Sequence, residues 1–247
     1  MILRQFLHTD PVGISYLVGC GGKGTAAIID PLADPDTYLS AAESMAVKID
    51  YVIDTHVHAD HISTWPGLAT AGAKYILSSK ADVSIPFQPV EDGEEIGLGN
   101  VVIEVMHTPG HTPEHICLLV TDRTRANDPW FVATGHTLMI GDVGRTELAT
   151  SAEQGARDLF RSIRNLKSLP DHLTVLPGAY AGSVCGRSLS ANPVSTLGFE
   201  KRFNKAFRID DEAEFVGFML EDIPPPPPRA GWLRATNSGR PLAAELP

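Results

Sequence analysis

Four side chains able to hold a metal fall within seven residues, Thr55-His56-Val57-His58-Ala59-Asp60-His61, directly after the apolar run Tyr51-Val52-Ile53. No other stretch of this chain restricts its fold as strongly. The apolar run reads as a buried strand, so the cluster stands at a strand end. Alternation continued past that end would put His56 and His58 on one face, with Asp60 extending the row and His61 turned beside it. Imidazole and carboxylate are the usual ligands for zinc, iron and manganese. The expected fold is therefore one that gathers further ligands at the same sheet edge.

Two other segments meet that requirement. Thr108-Pro109-Gly110-His111-Thr112 follows an apolar strand at 101–106, and its Pro-Gly turn can aim His111 back over the strand ends. Thr134-Gly135-His136 follows another strand at 130–133. Three strand ends that each present a histidine form a site at the rim of a sheet. His8, His107, His115 and His172 have no comparable surroundings in the sequence and are read as ordinary.

The remaining pattern alternates strands and helices. Strands are expected at 14–18 and 25–29 around a Gly-rich turn, then at 75–77, 116–120 and 173–176. Asp34-Pro35 caps a helix running to about Val47, with Leu39, Ala42 and Ala46 inward. Thr150-Ser151-Ala152-Glu153 reads as a capping box for a helix that buries Ala156, Leu159, Phe160, Ile163 and Leu166. Two more helices are expected after Asn192-Pro193 and after Asp210-Asp211. Such alternation suggests an α/β fold of layered sheets with helices outside. Residues 1–223 form its one domain, and 224–247 a proline-rich tail that opens on five consecutive prolines and shows no clear period afterwards.

Composition narrows the partners. In 247 residues the formal net charge is −10 with no Lys/Arg-rich stretch, which argues against nucleic acid or an anionic membrane surface. No apolar run reaches the ~18 residues of a membrane span. Cys20, Cys117 and Cys185 form no C-x-x-C pair and read as reduced thiols, so the cytoplasm is the expected compartment.

The segments 55–61 and 108–112 together resemble the H-x-H-x-D-H signature and the second histidine motif of the metallo-β-lactamase superfamily. Gly141-Asp142-Val143-Gly144-Arg145-Thr146-Glu147 and Ala181-Gly182-Ser183-Val184-Cys185-Gly186 are similar to its glyoxalase II and persulfide dioxygenase branch, in the members fused to a rhodanese domain. No rhodanese domain follows here. The resemblance implies a four-layer αββα sandwich with the site at one edge of the two sheets. It also places Arg145 beside the site as a binder of substrate carboxylate, with Tyr180 as a neighbour.

Two departures from that family pattern bear on the chemistry. The pattern has Asp where this chain has His136, and another His where this chain has Ala179. A two-metal site needs a bridging anion to hold cations about 3.5–4 Å apart. The expectation is therefore one divalent metal, Fe(II) favoured over Zn(II), held by His56 and His111 with His136 or His58. Asp60 then acts as a base or orienting group, with His61 a remnant of the second position. Replacing an anionic ligand by imidazole leaves the centre one unit more positive, which favours an anionic thiolate or persulfide. The resemblance accordingly implies a persulfide dioxygenase acting on a small thiol persulfide. A zinc thioester or ester hydrolase like glyoxalase II is the alternative, and a non-catalytic member with a degenerate site the third reading. A homodimer and a separate sulfurtransferase are the macromolecular partners considered.

Overall fold

The computed structural model describes residues 1–240 apart from 222, 224 and 228. Two prolines of the proline run and the last seven residues of the expected tail thus lie outside the described residues. The first sheet carries β1 (Ile2–Thr9), β2 (Val12–Cys20), β3 (Thr25–Ile29), β4 (Lys48–Ile53), β5 (Lys74–Ser78) and β6 (Gln88–Val90), in that spatial order. The second is built from β7 (Glu95–Leu98), β8 (Val101–His107), β9 (Ile116–Asp122) and β10 (Phe131–Gly135). After the two-stranded pair β11 (Leu138–Met139) and β12 (Asp142–Val143), it is completed by β13 (Thr174–Pro177) and β14 (Ser195–Thr196), in the order β14-β13-β10-β9-β8-β7.

Helices α1 (Pro35–Ser44) and α2 (Trp65–Thr70) follow in the first half, and α3 (Ala152–Lys167), α4 (Leu197–Phe203), α5 (Glu212–Leu220) and α6 (Ala230–Asn237) in the second. The sandwich arises from strands that are apolar on both faces. In β2, Ile14, Tyr16 and Val18 enter the core between the sheets, while Leu17 joins α1 and α2 on the other side. In β9, Ile116, Leu118 and Val120 face the same inter-sheet core, while Cys117 and Leu119 pack under α3 and α5. Period-two alternation between two apolar environments gives the four layers αββα expected from the sequence.

Helix positions follow the caps, with two shifts. The Ser151 side chain accepts from Gln154 N, so the cap of α3 is Ser151 rather than Thr150. The inner face of α1 is Tyr38, Ala41 and Ala42, and Ala46 lies beyond the helix in left-handed backbone at φ 52°. Leu39 packs half-buried against the same core, and Tyr38 is added to that face because its hydroxyl finds buried partners in Ser15 Oγ and the Leu32 and Ala33 amides. A third difference is larger: the tail expected to lack periodic structure contains α6.

Strand direction positions the site. Both β8 and β10 are antiparallel to β9, and β13 is parallel to β10. The C-terminal ends of β8, β10 and β13 therefore share one edge. The first sheet meets that edge where Ile116 N donates to Thr55 O at 2.8 Å. Among the described residues, no helix is long and apolar enough to cross a membrane.

Candidate metal centre

Past Ile53 the chain leaves the sheet, so residues 54–63 are neither strand nor helix and the alternation expected for His56, His58 and Asp60 does not apply. The His56 and His58 rings still lie side by side, 4.1 Å between centroids, but their inward nitrogens serve different groupings. Ligand atoms of His56, His111 and His136 lie within 4.8 Å of one another, and all three residues are buried. A second such group is His58, Asp60 and His61, a third is Asp60, His136 and Cys185, and a fourth is Asp30, Asp54 and His58.

Hydrogen bonds on the outer ring nitrogens fix which lone pairs face inward. Thr55 Oγ1 donates to Asp30 Oδ2 at 2.9 Å, so toward His56 Nδ1, 3.0 Å away, it can only accept. His56 Nε2 is then unprotonated, and it is buried with no partner. His111 Nδ1 donates to the Arg145 carbonyl at 2.7 Å, which leaves His111 Nε2 unprotonated at 3.2 Å from His136 Nδ1. Backbone carbonyl and hydroxyl partners on the outer nitrogen are how ligand histidines are held in one tautomer.

Electrostatics agree with neutral imidazoles. Burial, with the neighbouring histidines adding to it, holds His56 well below its ordinary pKa. Burial likewise brings His111 down to about 3 and His136 down to about 4. His58 is the opposite case. Burial would lower it, but Asp30, Asp60 and Asp54 outweigh that and raise it well above the ordinary value. Its Nε2 lies 3.2 Å from Asp30 Oδ1. Burial would raise Asp60, yet His61, His58 and His136 keep its carboxyl well below the usual range. His61 Nδ1 is 3.1 Å from Asp60 Oδ1, while Asp60 Oδ2, His58 Nδ1 and His61 Nε2 are buried without partners. Orphaned buried polar atoms cost free energy unless something binds them. Of these orphans His56 Nε2 belongs to the His56, His111 and His136 grouping, three neutral imidazoles whose chemistry fits a divalent cation they would hold, while the other three line the neighbouring His58, Asp60 and His61 grouping.

Several supporting residues carry no motif signal. Asp30 accepts from Thr55 N and Oγ1 and faces His58. His115, read as ordinary, is fully buried behind the cluster: its Nε2 accepts from His136 N at 3.0 Å, and its Nδ1 lies 3.0 Å from both Thr108 Oγ1 and Thr137 Oγ1. Gly135 makes that approach feasible, since at φ 47° a Cβ would stand 2.5 Å from His115 Nε2. Of the residues placed beside the site by resemblance, Arg145 is buried with its guanidinium on Glu147 and the Val184 and Pro225 carbonyls. Tyr180 donates its hydroxyl to His8 O at 2.9 Å. Ala179, where the family pattern has His, is wholly buried and brings no ligand. Cys185 reaches the cluster from the next loop, where burial pushes its thiol well up.

The family profile described as the Metallo-beta-lactamase superfamily matches residues 9–178, which hold every histidine of the cluster. This chain belongs to the metallo-β-lactamase superfamily. Within the superfamily it is 29% identical over 228 residues to the mitochondrial persulfide dioxygenase ETHE1 of Bos taurus, covering 89% of this chain and 80% of that one. It is 30% identical over 244 residues to the hydroxyacylglutathione hydrolase of Polaromonas sp., covering 85% and 86%. Among solved structures, a metallo-β-lactamase from Staphylococcus aureus superposes with a TM-score of 0.91 at 36% identity, covering 96% of this chain and 72% of that one. ETHE1 from Myxococcus xanthus superposes with a TM-score of 0.82 at 28% identity, covering 97% and 100%.

Proposed function

We propose that this chain is a mononuclear metal-dependent enzyme that oxidises a small thiol persulfide, with Fe(II) as its metal. The observation that carries the reading is the convergence of three neutral imidazoles, from His56, His111 and His136, with no protein anion among the three. A divalent metal held by these three residues would supply Lewis acidity and redox chemistry toward an anionic sulfur compound and oxygen. The neutral ligand set leaves the full positive charge to attract a persulfide anion. Likeness to persulfide dioxygenases over most of the chain supports the same substrate class.

The balanced reaction is RSSH + O2 + H2O → RSH + H2SO3, in which the outer sulfur is oxidised and oxygen reduced. Protons must move at neutral pH. Asp60, kept ionised by its histidine neighbours, offers Oδ2, 3.9 Å from His136 Nε2, as a hydrogen-bond acceptor that orients a protonated group of substrate or water. His61, hydrogen-bonded to Oδ1, holds that carboxylate in place. The three histidine side chains are buried, at 1% exposure each.

Thioester hydrolysis with zinc is the second reading. It is favoured by the retained pair Asp60 and His61 and by the likeness to hydroxyacylglutathione hydrolase. The two part cleanly in one assay. Iron-loaded protein given glutathione persulfide should consume oxygen and form sulfite. Zinc-loaded protein that cleaves S-acyl glutathione, with no oxygen uptake by the iron form, would refute dioxygenation.

A further inference from the structure

The family profile ends at residue 178, yet some of the hydrogen bonds that shape the metal-binding loop come from α6, beyond residue 229. Residues 57–63 carry His58, Asp60 and His61 and belong to no strand or helix, so their backbone polar groups need partners from elsewhere. Asn237, buried at 8% exposure, supplies three. Its Nδ2 donates to His58 O at 2.9 Å and to His61 O at 2.8 Å, and its Oδ1 accepts from Ser63 N at 3.1 Å.

Arg234, one turn earlier on the same face, donates to Val57 O at 2.7 Å. Its guanidinium also grips both carboxylate oxygens of Glu114, at 3.1 and 3.2 Å, and Glu114 accepts from Val57 N at 2.9 Å. The loop backbone is thus held at Val57, His58, His61 and Ser63 by two side chains that lie more than 170 residues away in sequence. The segment leading into α6 touches the other half of the cluster. Pro225 O accepts from Arg145, whose own carbonyl accepts from His111 Nδ1. Past α6, Ser238 O accepts from Ser84 N at 2.8 Å and Arg240 pairs with Asp82, which anchors the far end.

We propose that α6 is a working part of the metal centre, with Asn237 and Arg234 as positioning residues that set the affinity and geometry of the site through the backbone of loop 57–63. This rests on reading the histidine cluster as a metal centre, but not on which reaction it runs. Groups that orient metal ligands typically change affinity by about 10–100-fold when lost.

The test is a Co(II) titration of the full chain, followed by its visible spectrum. Asn237→Asp keeps the side-chain shape and the acceptor for Ser63 N but cannot donate to His58 O and His61 O. It should bind Co(II) at least about tenfold more weakly and with altered ligand-field bands. Arg234→Lys, which retains charge opposite Glu114 but not the forked contact, should fall between Asn237→Asp and the unmodified chain. Leu233→Ala, a change at a half-buried position of the same helix whose side chain makes no hydrogen bond to the loop, should leave affinity and spectrum unchanged. Wild-type binding by Asn237→Asp would overturn the proposal, as would equal weakening by Leu233→Ala. An unmodified chain that takes up no Co(II) would overturn both this proposal and the metal-centre reading.

Discussion

Thr55 decides which nitrogen of His56 is free. Its hydroxyl proton goes to Asp30, so the imidazole must direct Nδ1–H at the hydroxyl oxygen and its lone pair at the cluster. Thr55→Val keeps the shape and removes both contacts. It should weaken metal binding by about 10–100-fold in a chelator competition assay. The histidines also set a pH dependence in the metal-free protein. His111 at about 3 and His136 at about 4 lie below the free value of 6.5, so the unfolded chain binds more protons than the folded one between those limits. Their contribution to stability is complete above pH 6.5 and is lost as pH falls toward 4 and then 3. His58 has the opposite sign, since its raised pKa contributes stability below 6.5 that is lost in alkali. Between pH 6.5 and 5 each depressed histidine should cost about 2 kcal/mol. Denaturant melts of the metal-free protein should therefore show a shallower acid slope in His136→Gln than in the natural chain; equal slopes would remove His136 from the account. At this scale the motif histidines were legible because ligands cluster in sequence. Asp30 and His115 were not, because each acts through a partner that only the fold brings near.

Elements place these residues by close approach. Gly110 sits at φ 145° beneath α3, where a Cβ would lie 2.5 Å from Leu159 backbone and side-chain atoms. Gly110→Ala must push the His111 loop away from the helix or strain its backbone. The expected results are a loss of about 3 kcal/mol or more in denaturant melts and weaker metal binding, since His111 moves with the loop. Retained stability and affinity would contradict the packing described. Strands 25–29, 101–106 and 116–120 were readable from β-branched and apolar runs, and α3 from its apolar stripe. The histidine segment 55–61 was misread as continued strand because nothing in an alternating sequence marks where the last ladder bond falls. α6 escaped the reading for a different reason. Its contribution to the site is polar and long-range, through Arg234 and Asn237, and leaves no apolar period behind.

At the scale of the whole molecule, four layers convert sequence-distant turns into one site. β8, β10 and β13 run in the same sense and end on the same edge, and the loop after β4 is bonded to the start of β9 there. The layers were foreseeable from the alternation of strands and helices together with the histidine motifs. Which three histidines share a centre was not, because His58 and His136 are equally good ligands on paper. Both are buried, and their charged neighbours separate them: His58 is drawn to Asp30 and Asp54, while His136 is held low, down to about 4, with its Nδ1 facing His111. The most direct measurement is anomalous diffraction at the iron edge from crystals of the iron-loaded protein. One strong peak is expected within bonding distance of His56 Nε2, His111 Nε2 and His136 Nδ1. A peak held by His58, Asp60 and His61, with His136 unligated, would contradict it.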